Sequence, residues 1–247
     1  MPETIVGRKP VIEALKAGSA IEKITLLAGI QGTPIEEIRS LARQQKVPIN
    51  EISRQQFREI ANDQMTQGVV AILQAKHKYV EVEAILDIAK KREEKPFVLI
   101  LDEIEDPHNL GALIRSAECA GVHGVVVPKH HSAPVNSTVV KTSAGATEHI
   151  AIAEVTNIVN TIKELKKELF WIVGLDEGGD KPYEKVDYTS PIAIVVGNEG
   201  KGVRRLVREH CDFLVKIPLR GKIESLNASV AGALVMYEVV RQRIPNS

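Results

Sequence analysis

Five nearly continuous apolar runs in the second half of the chain constrain its fold more than any other feature. The runs are FVLILDEI, GVVVPK, FWIVGLD, PIAIVVGN and DFLVKIPL. Helical patterns lie between and after them, at 109–121, 135–147, 157–168, 202–210 and 225–243. Runs without polar alternation are typical of strands that are buried on both faces. Their alternation with helices predicts an α/β fold, in which helices cover both faces of a parallel sheet.

The first 74 residues show shorter elements and a different pattern. Apolar periodicity predicts helices at 7–18 and 34–46 and strands at 23–29 and 68–74. We therefore expect a small α/β domain over residues 1–74. The polar segment 75–81 is predicted to be a linker, which leads to a second domain over residues 82–247.

Charge and cysteine content disfavour several functional classes. The 247-residue chain has 32 Lys and Arg and 32 Asp and Glu, which argues against binding nucleic acid through bulk electrostatics alone. Residues 1–80 nevertheless hold eleven Lys and Arg against eight Asp and Glu, a net charge of +3, which favours phosphate contacts by the first domain. The two cysteines form no Cys-x-x-Cys, and the His130–His131 pair has no ligand at a suitable spacing, so no metal site is predicted.

The sequence also lacks a candidate membrane segment. No window of about 18 consecutive apolar residues is present, as a membrane helix would require. The N-terminal MPETIVGRKP has no apolar core of the kind found in signal peptides. We therefore expect a cytoplasmic protein that does not associate with a membrane.

Three polar segments follow predicted strands, where a parallel sheet usually binds its ligand. In the first segment, DPHNLGALIRSAECAG, a helix is predicted to begin near Asn109. Asn109 either caps that helix or contributes a polar group to a site. Arg115 is either a surface residue or a guanidinium directed into the strand-end site, where it would suit a phosphate or a developing oxyanion.

The second segment, IVVGNEGKGV, is a glycine-rich loop after an apolar strand. Gly197, Gly200 and Gly202 would let the backbone approach a ligand closely. Their spacing matches neither the dinucleotide fingerprint nor the phosphate loop, so a dinucleotide-dependent oxidoreductase is disfavoured. The loop is either a ligand contact or a simple glycine turn in which Glu199 is solvated.

The third segment, IPLRGKIESLNASVAGAL, leads from a strand into the last helix. Ser225 is predicted to cap this helix. A buried apolar face is predicted from residues at spacings of three and four, namely Leu226, Val230, Ala233, Leu234 and Tyr237. Asn227 and Ser229 lie off that face, either as tolerated small residues or as contacts to a ligand.

Taken in order, the three segments resemble the motifs of the SpoU (TrmH-type) branch of the SPOUT superfamily, the knotted RNA ribose methyltransferases. The N-terminal VGRKPVIEAL resembles the start of the substrate-binding domain of the RlmB-like group, which modifies a guanosine in large-subunit (23S) ribosomal RNA. The resemblance covers nearly the whole chain. It implies a SPOUT-type sheet with a C-terminal trefoil knot, S-adenosylmethionine as cofactor, and a homodimer formed through the knotted domain.

The resemblance also assigns roles to individual residues. The catalytic set would be Asn109, Arg115, Glu199, Ser225 and Asn227. The cofactor-binding set would be Gly197, Ile217, Leu226, Gly202 and Thr142. RNA selectivity is expected from the first domain, where the candidate phosphate contacts are Arg8, Lys9, Arg54 and Arg58.

The chemistry of ribose methylation favours a particular role for Arg115. A guanidinium with a pKa above about 12 resists deprotonation, so we expect Arg115 to stabilise the developing oxyanion or to bind a flanking phosphate.

Two alternatives to methylation of ribosomal RNA remain open. One is the same reaction on transfer RNA. The other is a non-catalytic RNA-binding protein that clamps RNA between two domains, for which Arg115 and Asn227 would be dispensable and S-adenosylmethionine would not bind.

Overall fold

The computed structural model describes residues 4–61, 66–73, 77–223 and 225–244. The chain divides into two compact units, residues 1–76 and 77–247. No helix in these described ranges is long and apolar enough to cross a membrane.

The segment predicted as a linker, 75–81, contributes in part to the second unit. Gln74 and residues 75–76 lie outside the described residues. Val80 forms an isolated parallel bridge with Ala153, and the Tyr79 hydroxyl accepts a hydrogen bond from the Val135 N–H at 3.4 Å. The second unit therefore begins before residue 82, because these contacts bind the end of the predicted linker to it.

The first unit is a four-stranded sheet with helices. Its elements are β1 Thr4–Val6, α1 Arg8–Lys16, β2 Ile21–Leu27, α2 Thr33–Gln44, β3 Ile49–Ile52, α3 Arg54–Ala61 and β4 Val69–Leu73. The strand order is β1-β4-β2-β3, in which β2 and β3 are parallel and the other pairs antiparallel. The patterns did not predict β1, β3 or α3. These elements bury few side chains, and among residues 54–60 of α3 only Phe57 is buried.

The second unit contains a seven-stranded sheet. Its elements are α4 Val82–Arg92, β5 Phe97–Asp102, α5 Pro107–Cys119, β6 Gly124–Pro128, α6 Ser137–Thr142, β7 Ala151–Val155, α7 Ile158–Lys167, β8 Trp171–Leu175, β9 Lys181–Pro182, β10 Ile192–Gly197, α8 Arg205–Arg208, β11 Phe213–Lys216 and α9 Ala228–Arg243. The strand order is β7-β6-β5-β10-β8-β11-β9, and every pair is parallel. The parallel sheet predicted from the apolar runs is confirmed; β7 and β9 are additional strands.

Both faces of this sheet are covered by helices, as the continuous apolar strands predict. In β5, Leu99 and Leu101 pack in a core with side chains of α5 and α9. Val98 and Ile100 of the same strand pack in a second core with side chains of α4 and α7. Successive side chains of a strand point to opposite faces, so one apolar run supplies both cores.

Two predicted helices are shorter in the structure. The helix predicted at 202–210 is only α8, which begins after the glycine loop. The helix predicted at 135–147 is α6, which ends at Thr142. Gly145 then adopts a left-handed conformation with φ of 86° before a short 3-10 turn at Ala146–Glu148. A left-handed residue cannot continue a right-handed helix.

The face predicted for burial on α9 is wrong. Val230, Leu234 and Tyr237 are 48%, 40% and 51% exposed. The side that packs on the sheet instead includes Gly232, Val235, Met236 and Val239. Apolar residues lie on every side of α9, so their periodicity does not indicate which side packs against the sheet.

A glycine explains the side that does pack. A Cβ built on Gly232 would lie 2.6 Å from Leu113 Cδ2, well inside ordinary contact distance. The absence of a side chain at this position lets α9 approach α5 closely. A search for large apolar residues misses this signal, because the residue at the contact has no side chain.

Candidate active site

A cavity of 640 Å³ lies where three central strands of the second unit end. Residues of β8, β10 and β11 and of the loops that follow these strands line it. The lining comprises Leu175, Asp176, Glu177, Gly178, Val196, Gly197, Asn198, Glu199, Gly200, Lys201, Gly202, Arg208, Val215, Lys216, Ile217, Pro218, Leu219, Ser225, Leu226, Ala228 and Ala231. The cavity therefore lies at the carboxyl ends of the strands, where a parallel sheet is expected to bind its ligand.

The glycine loop after β10 folds back onto the end of its own strand. Asn198 and Gly202 form an isolated bridge, and Gly202 adopts a positive φ of 66°. A Cβ built on Gly197 would lie 2.2 Å from the carbonyl carbon of Gly202. Only glycine fits at position 197, because the loop backbone occupies the space of a side chain.

Asn198 holds the shape of this loop. Its side-chain oxygen accepts a hydrogen bond from the Gly200 N–H at 2.9 Å. Its side-chain nitrogen donates to the carbonyl of Glu103 at 3.1 Å, across to β5. Glu199 does not hold the loop in this way, because its carboxylate accepts hydrogen bonds from Asn109 and Asn227.

An ion pair between a buried carboxylate and a partly exposed guanidinium attaches the far end of the loop to β5. Asp102 is fully buried, and its carboxylate accepts hydrogen bonds from the backbone N–H and the guanidinium of Arg204 at 2.8 and 2.7 Å. The hydrogen bond to Asp102 raises the pKa of Arg204 above its usual value. The guanidinium is therefore held in its charged form.

Asn109 contacts the glycine loop and does not cap α5. α5 begins at Pro107, and its cap is Asp106, whose side chain accepts a hydrogen bond from the His108 N–H at 2.9 Å. Asn109 lies in the first helical turn and is 8% exposed. Its amide nitrogen donates to Glu199 Oε1 at 2.6 Å.

Asn227, rather than Ser225, caps α9. The Asn227 side-chain oxygen accepts from the backbone N–H groups of Ser229 and Val230 at 3.0 and 3.3 Å. The Ser229 hydroxyl donates to the same oxygen. Ser225 precedes the helix by three residues and is exposed in the cavity lining. The cap prediction failed because two capping residue types lie two positions apart in the sequence.

The amide nitrogen of Asn227 completes a triangle of hydrogen bonds between the three polar segments. It donates to Asn109 Oδ1 at 2.9 Å and also to Glu199 Oε1. Asn109, Glu199 and Asn227 are therefore in mutual contact, although each comes from a different segment. Glu199 also lines the cavity, so the triangle borders the space that a ligand would occupy.

Arg115 lies apart from this triangle. It is exposed on α5 and lies about 9 Å further along the helix axis than Asn109, turned by about 120°. Within the described ranges, it makes no hydrogen bond or ion pair. The guanidinium is therefore available to a bound molecule or to a second copy of the chain, and its catalytic role remains a prediction.

Four of the five predicted cofactor contacts line the cavity, and one does not. Gly197, Gly202, Ile217 and Leu226 are in the lining. Thr142 packs against α5, where a Cβ built on Gly111 would lie 2.7 Å from the Thr142 Cβ. This packing gives no support to a cofactor contact by Thr142.

One wall of the cavity was not predicted from the sequence. Asp176 follows β8 and pairs with Arg208 at 3.3 Å, and both residues line the cavity beside Lys216. The signal was available, because Asp176 directly follows an apolar run just as the other strand-end residues do.

The four predicted RNA contacts lie in the first unit. Lys9, Arg54 and Arg58 are exposed, and Arg54 and Arg58 are one turn apart on α3. Arg8 is partly buried, and its Nε donates to the carbonyl of Gln67 at 3.2 Å. Three of the four side chains are thus freely accessible to a phosphate, and the fourth is partly committed.

Comparison with known proteins identifies the family. Residues 96–237 match the model of the SpoU rRNA methylase family. Residues 4–79 match the model described as RNA 2'-O ribose methyltransferase substrate binding. The "Putative TrmH family tRNA/rRNA methyltransferase YacO" of Bacillus subtilis is 42% identical over 241 residues, which cover 98% of this chain and 96% of that protein.

Two solved structures are similar over nearly the whole chain. One is the SpoU methyltransferase AviRb from Streptomyces viridochromogenes in complex with AdoMet (S-adenosylmethionine), with a TM-score of 0.64, 26% identity and coverage of 98% of this chain and 91% of that one. The other is an AdoMet-bound rRNA methyltransferase from Sinorhizobium meliloti, with a TM-score of 0.61, 25% identity and coverage of 96% and 86%. Since the family model spans more than half of the chain and YacO matches 98% of it, the chain belongs to the SpoU rRNA methylase family and is an RNA methyltransferase.

Proposed function

We propose that this chain transfers the methyl group of S-adenosylmethionine to a ribose 2′-hydroxyl in RNA, and that its substrate is a guanosine of large-subunit (23S) ribosomal RNA. The observation that carries the proposal is the contact between Asn109, Glu199 and Asn227 at the edge of the cavity. The substrate-binding family model over residues 4–79 supports the ribose hydroxyl as acceptor. A ribosomal substrate would place the protein in the cytoplasm.

The cavity suits S-adenosylmethionine in size and in chemistry. Its volume of 640 Å³ lies within the range of about 300–1,000 Å³ for small-molecule sites. Ile217 and Leu226 supply apolar surface for an adenine ring, and Asp176, Glu177 and Glu199 supply carboxylates. A sulfonium is cationic and can pair with one of these carboxylates, and Lys201 and Lys216 of the same lining can pair with the carboxylate of the methionine part. The loop at Gly197 exposes backbone that can approach the ligand closely.

The protein must activate a weakly acidic hydroxyl. When bound, S-adenosylmethionine supplies an electrophilic methyl group. The ribose oxygen must then be held in line with that group at about 3–3.5 Å, and its developing negative charge must be stabilised. We assign this stabilisation to Arg115, either directly at the oxygen or through the flanking phosphate of the RNA. Its exposed guanidinium is free to form such contacts.

The triangle of Asn109, Glu199 and Asn227 provides rigidity near the reacting groups. The side-chain N–H groups of Asn227 are committed to the other two residues, and its oxygen is committed to α9. A network with satisfied partners is preorganised, so it does not need to rearrange when the substrate binds. In our proposal, this triangle and the exposed hydroxyl of Ser225 orient the ribose.

A homodimer is the second part of the proposal, and the exposed side of α9 supports it. Val230, Leu234 and Tyr237 form an apolar stripe on this helix, and Leu234 is 40% exposed. A second copy of the chain would bury this stripe. The α5 helix of that second copy, which carries Arg115, would then lie close to the stripe. We also propose that the C-terminal segment forms the trefoil knot of the family.

The oligomeric state can be measured directly. Leu234→Asp should convert the dimer to a monomer in light scattering, since a buried carboxylate without a partner opposes association. Leu169→Asp is the matched control, because Leu169 is 80% exposed and lies outside the stripe. A monomeric unmodified protein, or a dimer that Leu234→Asp leaves intact, would contradict the proposal.

Transfer RNA is the alternative substrate. The name of YacO covers both tRNA and rRNA, and the chemistry of the ribose is the same in both. The two are distinguished by mapping 2′-O-methyl groups on 23S rRNA and on tRNA from cells with and without this protein. We expect one guanosine of 23S rRNA to lose its methyl group. Loss of a methyl group from tRNA alone would show that tRNA is the substrate. If neither RNA loses a methyl group, the proposed function is wrong.

A further inference from the structure

The carboxylate of Asp102 occupies an unusual position at the end of β5. It is the last residue of the strand and is fully buried. One oxygen accepts hydrogen bonds from Arg204 Nε at 2.7 Å and lies 2.6 Å from Arg204 Nη2. The other oxygen accepts from the Arg204 backbone N–H at 2.8 Å. Arg204, at the end of the glycine loop, therefore donates hydrogen bonds to both carboxylate oxygens of Asp102.

The next residue of the chain holds the other end of the same loop. Glu103 adopts a left-handed conformation with φ of 60°, which is unfavourable for a residue other than glycine. Its carbonyl accepts from the Asn198 side chain at 3.1 Å, and its carboxylate lies 3.5 Å from Arg204 Nη1. Two consecutive residues, Asp102 at the end of β5 and Glu103 directly after it, thus attach both ends of the loop, at Arg204 and at Asn198.

The attachment fixes the position of Glu199. Glu199 directly follows the anchored Asn198 and contacts Asn109 at 2.6 Å. Asn109 lies on α5, which begins four residues after Glu103. The end of β5 therefore connects closely to both partners of this hydrogen bond.

Stability alone gives a weak reason for such a pair. Burying the Asp102 carboxylate is costly, and the Arg204 side chain remains 43% exposed, so solvent weakens the attraction between the two charges. The benefit of the Asp102–Arg204 pair is more readily explained by the geometry that it imposes. We propose that Asp102 and Arg204 are positioning residues for methyl transfer, which hold the glycine loop so that Glu199 meets Asn109 and Asn227. This inference rests on the proposed function.

The chain offers a matched control at the opposite end of the same sheet. Asp212 precedes β11, and its carboxylate accepts from Lys166 Nζ at 2.7 Å and from the Ile172 backbone N–H at 2.8 Å. Like Asp102, it therefore pairs with one cation and one backbone donor. It lies at the amino end of the strands and outside the cavity lining.

The test compares Asp102→Asn with Asp212→Asn in the full-length chain. We measure turnover at saturating S-adenosylmethionine and RNA, thermal unfolding, and hydrogen exchange of the loop amides at Gly202 and Arg204. Asp102→Asn should lower turnover by about 10- to 100-fold, since small displacements near the reacting atoms have effects of this size. The loop amides should exchange faster. Asp212→Asn should lower the unfolding temperature but leave turnover within about twofold and loop exchange unchanged.

Two further variants keep the test decisive if Asp102→Asn does not fold. The Arg204 side chain is 43% exposed, so Arg204→Gln should fold. It should show the same two effects as Asp102→Asn, namely lower turnover and faster exchange of the loop amides. Arg204→Lys retains the charge without the planar fork, and its turnover should lie between those of Arg204→Gln and the unmodified protein. Unchanged turnover in folded Arg204→Gln would overturn the proposal. So would a loss of turnover without faster loop exchange, because the residue would then act by another route.

A double-mutant cycle links the pair to Glu199. If Asp102 acts by placing Glu199, the effects of Asp102→Asn and Glu199→Gln on turnover should be clearly less than additive. Additive effects would contradict the positioning role. Loop exchange does not depend on activity, so it still tests the attachment if the unmodified protein transfers no methyl group. Absence of methyl transfer would contradict the proposed function but not the attachment of the loop by Asp102 and Arg204.

Discussion

The side-chain nitrogen of Asn227 lies 2.9 Å from the side-chain oxygen of Asn109, although 118 positions separate the two residues in the sequence. Asn227 performs two tasks at once, because its oxygen caps α9 and its nitrogen binds Asn109 and Glu199. The start of the last helix is thus attached to the other two polar segments. We expect the two tasks to be separable by substitution.

Asn227→Ser should retain the cap and remove the amide nitrogen. Serine is a good N-cap, but its short side chain cannot reach Glu199. We expect turnover to fall by at least about tenfold, while the free energy of unfolding changes little. Asn227→Ala should lower turnover similarly and cost about a further 1 kcal/mol of stability through the lost cap. Urea unfolding and steady-state kinetics measure both effects. Full turnover in Asn227→Ser would reduce Asn227 to a structural cap.

Arg115→Ala should impair the reaction without impairing cofactor binding. The loss of a donor to a developing oxyanion lowers turnover by about 100-fold or more. The affinity for S-adenosylmethionine should be nearly unchanged, because Arg115 does not line the cavity. Calorimetry and single-turnover kinetics separate the two quantities. Arg92→Ala, at the exposed end of α4, is the control for loss of a surface charge. Turnover equal to that of the control would remove Arg115 from the mechanism.

Gly197→Ala should damage the cavity at the strand ends, whereas Gly200→Ala in the same loop should not. A Cβ at position 197 would lie 2.2 Å from backbone atoms of Gly202, so the loop must move. A Cβ at position 200 would have its nearest neighbour, Asn198 Oδ1, at 3.6 Å. We expect the Kd for S-adenosylmethionine to rise by at least about tenfold only for Gly197→Ala, which corresponds to about 1.4 kcal/mol. Equal affinities for the two variants would contradict this account of the loop.

The stability of the protein should decrease in acid partly through His123. Burial lowers the pKa of His123, although the hydrogen bond with Glu94 opposes this effect. His123 Nδ1 accepts a hydrogen bond from the Phe97 N–H at 3.0 Å and is therefore unprotonated in the folded state. Below the usual histidine pKa of about 6.5, the unfolded chain binds this proton more readily than the folded chain. The contribution of His123 is therefore complete above that pH and is lost as the pH falls.

His123→Gln tests this pH dependence. Glutamine can still accept from Phe97 but does not titrate. Between about pH 7.5 and about pH 5.5, the free energy of unfolding should fall more for the unmodified protein than for the variant. Urea unfolding at the two pH values gives the difference. An equal fall in both proteins would show that His123 does not contribute.

The sequence predicted the sheet and the glycine loop well for clear physical reasons. Parallel strands must be buried on both faces, so runs such as that of β5 are unambiguous. At Gly197, the need for backbone contact leaves only one residue type, which makes the position visible in the sequence. Asn109 and Asn227 could be placed in polar segments, but which of them caps a helix depends on where each helix begins. A difference of two or three residues in a helix start is beyond what patterns resolve.

The features that the sequence did not predict share a different cause, since each depends on what a side chain contacts in the folded protein. The side of α9 that meets α5 is set by Gly232, which has no side chain to be counted as apolar. The Asp102–Arg204 pair joins residues 102 positions apart, and nothing local in the sequence links them. Arg115 is exposed in the single chain, so its partners depend on bound RNA or on a second copy.

The most direct test of the central claim is transfer of a labelled methyl group by the purified protein. The protein is incubated with methyl-labelled S-adenosylmethionine and 23S rRNA that lacks its natural modifications, and the RNA is digested to nucleosides. We predict that the label is recovered as a 2′-O-methylated nucleoside, guanosine in particular, and that Arg115→Ala abolishes nearly all of it. Label on a nucleobase, or no label in RNA although S-adenosylmethionine binds, would contradict the claim.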